Sequence, residues 1–277
     1  MTTQSKRASR RRAVRQALVL AMGMGLTAAA QAHITYTGRD FGSISGAASL
    51  SIANQTVTGN YGWADATDAD FGDSHKSRAY RFALTDTFDV TITAAANPSA
   101  TAASLGGLLP GFSIYRGLAH LTGNKDHDFS DISQAYLATL PGIAKEGAWN
   151  ALGDWKVGPD GAGGFDDLSF FDFVGYAVDG TVANFASGFQ NGVVGDGMAD
   201  GRVSMTFRLA PGDYSIFVGG ADYDGQFGGT SAISPYGVSL ALDVAPVPEP
   251  ETYVLMLLGL GLISLAARRD RPRRLAP

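Results

Sequence analysis

Three short stretches of this 277-residue chain gather aspartates closely enough to do chemistry together. "DATDADFGD" holds Asp65, Asp68, Asp70 and Asp73, "KDHDFSD" holds Asp126, Asp128 and Asp131, and "ADYDG" holds Asp222 and Asp224. Carboxylates on consecutive turns suit Ca²⁺, which takes six to eight oxygen ligands in flexible geometry. None of the stretches has the EF-hand pattern of a glycine at the sixth position and a glutamate at the twelfth. "GPDGAGGFDD" lacks the nonapeptide period of glycine-aspartate calcium repeats. The same residues also serve as turn formers, because Asp hydrogen-bonds its own backbone. Both readings stand at this point, with Ca²⁺ as the candidate cofactor.

Other reactive groups are sparse. Glu146 is the only glutamate between residues 33 and 245, and no aspartate pair is singled out as a glycosidase acid and nucleophile. There is no Gly-x-Ser-x-Gly elbow, and "HKSR" does not make a triad. Cysteine is absent, which excludes disulfides, a lipoprotein anchor and thiol catalysis. Trp63, Trp149, Trp155, Tyr223 and Tyr236 are the aromatics that could stack on sugars, or equally pack in a core. The catalytic set is therefore empty, and a non-enzymatic role is expected.

The elements that must carry these loops read as strands. In "RAYRFAL", Tyr80, Phe82 and Leu84 share one face; in "FDVTITA", Phe88, Val90 and Ile92 do the same. "RVSMTFRLA" aligns Val203, Met205, Phe207 and Leu209, and after "APGD" the run "YSIFVGG" continues with Tyr214, Ile216 and Val218, which predicts a hairpin. "YGVSLALDV", "SLSIANQTVTG" and "GFSIYRG" add further strands. Ile132, Tyr136 and Leu140, four apart after Ser130 and before Pro141-Gly142, predict one short helix inside a long Gly/Asp-rich connection. The expected fold is mainly β, a single antiparallel β-sandwich of jelly-roll type.

The two ends differ from this middle. Six cations lie between Lys6 and Arg15, an apolar run follows, and Ala30-Gln31-Ala32 forms a small-x-small site. That layout predicts a secretory signal peptide over 1–32, cut before His33, with the Sec and twin-arginine routes both open. The sandwich then occupies 33–245, where ten Lys plus Arg face 22 Asp and one Glu, a balance of −13. A domain this acidic does not seek nucleic acid, and neutral glycans, divalent cations or other proteins are its natural partners. Residues 246–277 form the last segment. Pro246, Pro248 and Pro250 deny the chain regular hydrogen bonding, residues 253–267 are apolar on every side, and Arg268, Arg269, Arg271, Arg273 and Arg274 follow. Fifteen residues of helix span only about 22 Å against the roughly 30 Å of a bilayer core. Behind an export signal, such a short helix with trailing cations predicts a temporary stop in the membrane.

Pro248-Glu249-Pro250, the short apolar helix and the arginine block together closely resemble the PEP-CTERM sorting signal. The resemblance implies recognition of Pro248, Glu249 and Pro250 by exosortase, an integral-membrane protease of Gram-negative bacteria. It further implies export, a transient inner-membrane anchor, and delivery to the cell surface or an exopolysaccharide matrix such as a biofilm. "YRFALTDTFDVTI", "PGFSIYRG" and "LAPGDYSIFVGG" loosely resemble exported sandwich domains of the bacterial pre-peptidase C-terminal type, which carry no catalytic residues over. Cleavage before His33 also raises an alternative. A free N-terminal histidine with His75, His120 or His127 would resemble the copper brace of lytic polysaccharide monooxygenases, although "HITYTGRDFG" shares nothing else with them.

Overall fold

The computed structural model describes residues 34–63, 71–119, 148–157, 169–181, 193–227, 233–247 and 250–269. Twelve strands are found among them: β1 (Asp40–Ile44), β2 (Ala48–Thr58), β3 (Phe71–Asp73), β4 (Arg78–Leu84), β5 (Phe88–Ala96), β6 (Pro110–Arg116), β7 (Ala148–Asn150), β8 (Trp155–Val157), β9 (Ser169–Val178), β10 (Arg202–Leu209), β11 (Gly212–Gly220) and β12 (Pro235–Pro246). Two helices accompany them, α1 (Tyr223–Phe227) and α2 (Pro250–Arg269). The short helix expected after Ser130 falls outside the described residues.

Six strands form one sheet in the order β1-β4-β11-β6-β9-β8, and four form a second in the order β10-β5-β12-β2. A small β3-β7 ribbon stands apart from both. Apolar faces of the two large sheets meet in a core that includes Tyr80, Phe82, Ile114, Ile216, Val90, Ile92, Leu240 and Leu242. The fold is thus the mainly-β sandwich that period-two patterning predicts, with one departure: β1 pairs with β4 in parallel, while the other described strand pairs are antiparallel.

The expected hairpin of β10 and β11 does not form. β10 pairs with β5 in one sheet, and β11 pairs with β4 and β6 in the other. Only Ala210 and Pro211 separate them. A two-residue hairpin loop needs positive φ at its first central position, and proline at the second is locked near −65°. The chain instead turns a corner between sheets, and the Tyr214 hydroxyl fastens it by donating to the Ala210 carbonyl at 2.7 Å. β4 and β5 are joined by a second such corner at residues 85–87, and β1 and β2 by a third at 45–47. Edge position explains another difference. Val203 and Leu209 are buried as predicted and Phe207 half-buried, but Met205, aligned with them by period, is 45% exposed on the outermost strand of its sheet.

The six-stranded sheet is covered on its other face too. Tyr115 of β6 and Phe217 of β11 point outward into a second core with Trp63, Trp149, Trp155 and Phe171. Trp155 and Phe171 stack at 4.3 Å with their rings 8° apart, and Tyr115 meets both edge-on. Aromatic pairs in these geometries add about 0.5–1.5 kcal/mol beyond the area they bury. With both faces covered, β11 is buried continuously from Tyr214 to Gly220.

Close packing also fixes single positions. Gly237 of β12 accepts a hydrogen bond from Asn97 N–H, and a Cβ there would lie 1.8 Å from the Asn97 carbonyl oxygen. Gly237→Ala is therefore expected to cost about 2 kcal/mol, lowering Tm by roughly 4–8 °C in a thermal melt. A melt unchanged within a degree would show that the 97–105 loop shifts without cost.

Candidate functional site

β12 holds the ladder to its final residue, Pro246, which pairs with Phe88 of β5. α2 then begins at Pro250, so the Pro-Glu-Pro step falls between the last strand and the helix. Pro248 and Glu249 themselves lie outside the described residues, as do Arg271, Arg273 and Arg274; Arg268 and Arg269 close the helix.

Along α2, Leu255, Leu257, Leu262 and Ile263 are each 65–69% exposed. A soluble surface helix hides one apolar stripe and shows one polar face, whereas this one is apolar all round. Its one described polar side chain, Ser264, donates to the Leu260 carbonyl at 2.8 Å and so satisfies its hydroxyl within the helix. Among the described residues, no helix is long and apolar enough to cross a membrane.

The aspartates sort into separate tasks. Asp73 ends β3, and its carboxylate accepts from His75 N–H at 2.8 Å and pairs with Lys76 at 2.8 Å in the turn that follows. Burial opposes its charge, yet His75 and Lys76 prevail and hold its pKa down to about 2. Asp222 accepts from Gly225 N–H at 3.0 Å, which caps α1, and from the Asn60 amide at 3.4 Å; Asp224 is exposed. Asp65, Asp68, Asp70, Asp126, Asp128 and Asp131 lie outside the described residues, as do Glu146, His33, His120, His127, Ala30 and Ala32. His75 turns its ring nitrogen to Asp73 at 3.1 Å. Among the described residues, no group of three or more His, Asp or Glu is placed to hold a metal ion.

A cluster that sequence reading missed lies between β9 and β10. Asp179 is fully buried, and its two oxygens accept from Asp200 N–H at 3.1 Å and Gly201 N–H at 2.7 Å. Asp196 accepts from Gly180 and Met198 N–H. The signal was present as three Asp-Gly steps, 179–180, 196–197 and 200–201, whose glycines take φ of 132°, 90° and 82°. Left-handed glycine after Asp is what lets these turns fold back on one another.

Burial, and then the neighbouring Asp196 and Asp200 carboxylates, push the Asp179 pKa up to about 6 from an ordinary 3.8; its two N–H donors only partly offset this. The raised folded value fixes the sign: the stabilisation is complete below pH 3.8 and is lost as pH rises through 6. Asp179→Asn is expected to flatten that part of a stability-against-pH curve, measured by denaturant unfolding at pH 4 to 7. A slope unchanged by the substitution would place the titration elsewhere.

The aromatic candidates are mostly enclosed. Trp63, Trp149 and Tyr223 are fully buried and Trp155 is 3% exposed, so these four pack the fold; Tyr236 is half-buried.

Comparison with known proteins bears on the tail and on the sandwich separately. No curated protein matches the chain in sequence. Among solved structures, it is similar to CorA, a surface-associated copper-binding protein important in copper acquisition in Methylomicrobium album BG8. That match has a TM-score of 0.40 and 16% identity, over 74% of this chain and 98% of the other. It is similar also to MopE, a secreted protein of Methylococcus capsulatus whose copper binding an oxidized tryptophan facilitates. Here the TM-score is 0.38 and the identity 18%, over 76% of this chain and 87% of that one. Residues 246–271 match the PEP-CTERM protein-sorting motif, so the strand end, the proline step and the exposed apolar helix are the parts of an exosortase sorting signal on an exported protein.

Proposed function

We propose that the protein is a non-enzymatic component of the cell surface or extracellular matrix, delivered through exosortase and engaged with exopolysaccharide. The observation that carries this reading is the sorting motif set directly behind the last strand of a complete sandwich. Exosortase cuts at the Pro-Glu-Pro step, the inner membrane holds the precursor until then, and the sandwich is the delivered cargo.

The charge of the cargo supports a glycan partner. A balance of −13 over residues 33–245 repels nucleic acid and anionic lipid, while neutral polysaccharide, or acidic polysaccharide bridged by Ca²⁺, meets no such barrier. The aspartate loops provide the oxygen chemistry for such a bridge.

A pull-down of the mature protein on exopolysaccharide, with and without EDTA, tests this reading. Retention that EDTA weakens supports a calcium-bridged glycan, and retention that EDTA leaves alone supports direct binding. No retention, together with an unchanged biofilm on deleting the gene, overturns the proposal. One-to-one copper binding by a chain beginning at His33, lost in His33→Ala, would favour the copper enzyme instead.

A further inference from the structure

The strand register fixes which end of the sandwich the tail leaves from. Pro246 of β12 lies opposite Phe88, Phe88 lies opposite Leu209 of β10, and Val244 lies opposite Ala48 of β2. In the other sheet, Ile44 of β1 and Gly212 of β11 both lie opposite Leu84 of β4. The corners at 45–47, 85–87 and 210–211 therefore surround the exit point of the tail. The turns that carry Asp179, Asp196, Asp200, Asp222 and Asp224 lie at the other end, since Asp179 N–H bonds to the Pro110 carbonyl and Asp222 follows Gly220, the register partner of Pro110.

Reach is the second constraint. Four residue steps separate Pro246 from Pro250, which span at most about 14 Å even when fully extended. The polar headgroup layer on each side of a bilayer is itself about 5–8 Å deep. β12, with 12 residues, rises roughly 40 Å from this end to the other.

We propose that in the anchored precursor the end formed by 45–47, 85–87 and 210–211 rests against the lipid headgroups and holds the turns of Asp196, Asp200, Asp222 and Asp224 away from the membrane. This rests on the reading of α2 as the precursor's anchor. The membrane thus orients the cargo before release, with the turns of Asp196, Asp200 and Asp224 outward.

The absence of cysteine makes the test direct. Single cysteines replace Ser45 or Thr87 at the near end and Met198 at the far end, all exposed, in the full chain produced in a host without exosortase. Spheroplasts are labelled with an impermeant fluorophore, and spin-labelled phosphatidylcholine is added as quencher. Ser45→Cys and Thr87→Cys are expected to be quenched several-fold more than Met198→Cys. A flexible Gly/Ser insertion of about 20 residues after Val247 should abolish that difference. Equal quenching at the two ends in an anchored chain overturns the orientation alone. A chain that does not fractionate with membranes overturns the anchoring reading, and the orientation with it.

Discussion

Replacing Pro248, Glu249 and Pro250 together with alanine is expected to leave the protein uncut and held in the membrane fraction, with processing reduced at least about tenfold, roughly 1.4 kcal/mol of lost recognition. Those residues follow the last rung of the sheet at Pro246, and Pro250 is the first residue of α2. Pro248 has no N–H to give to a ladder or a helix, and Pro250 takes the first position of α2, where proline is tolerated. Alanine restores both the N–H groups and helix propensity, which lets α2 grow backward over the recognition site. Pro246→Ala is the control: that residue already lies in the ladder opposite Phe88, and its loss should change processing far less. Immunoblots and intact mass of the cell-associated protein read both variants. Normal cutting of the triple variant would reject the sorting signal as the route of delivery.

Trp63→Ala is expected to be the most destabilising single change in the sandwich, at about 3–5 kcal/mol of a total near 5–15. Its ring is fully buried, and Nε1 donates to Ser113 Oγ at 2.9 Å, which in turn donates to the Ala151 carbonyl at 2.6 Å. The ring rests on Gly111 of β6, and the Trp63 backbone rests on Gly219 of β11, the register partner of Gly111. A Cβ on Gly111 would lie 2.6 Å from ring atom Cδ2, and one on Gly219 would lie 2.7 Å from the Trp63 nitrogen. Truncation opens a cavity over a floor that has no side chains to fill it. Gly111→Ala should therefore destabilise the wild type by overpacking, yet cost much less in the Trp63→Ala background. Denaturant unfolding of the four proteins gives the coupling, and simple additivity would mean that ring and glycine do not meet.

These two sites differ in how far sequence reveals them. The tail is legible because its parts are contiguous: proline spacing, an all-round apolar run and arginines need no partner elsewhere in the chain to be recognised. Strands β4, β5, β10 and β12 are legible for a similar reason, since one buried face imposes period two on each segment. Which strand lies beside which is a different matter. "LAPGDYS" marks a tight reversal in either architecture, and only the Ala-Pro dihedral requirement separates a corner from a hairpin. The bed beneath Trp63 depends on Gly111 and Gly219 meeting across more than a hundred residues, and Trp63 shows nothing in sequence of whether it packs or stacks on sugar. The Asp179 cluster was readable in part, because three Asp-Gly steps within 23 residues announce turns; that these converge on one buried carboxylate follows only from β9 ending and β10 beginning at the same end of the sandwich.

The position of β12 has a consequence for timing. It is the last strand made, and it is also an interior strand, filling the gap between β5 and β2 with Leu240 and Leu242 in the core. Until residue 246 is available, β2 has no neighbour in its sheet and the four-stranded layer is open along its middle. Pairings this distant along the chain form slowly, and a half-built sheet exposes edges that recruit wrong partners. On a route that exports the chain as a thread, the fold is completed only as the sorting tail itself reaches the membrane. Folding and arrival at the membrane then coincide, and the strand that closes the sandwich is the one that ends at the sorting motif.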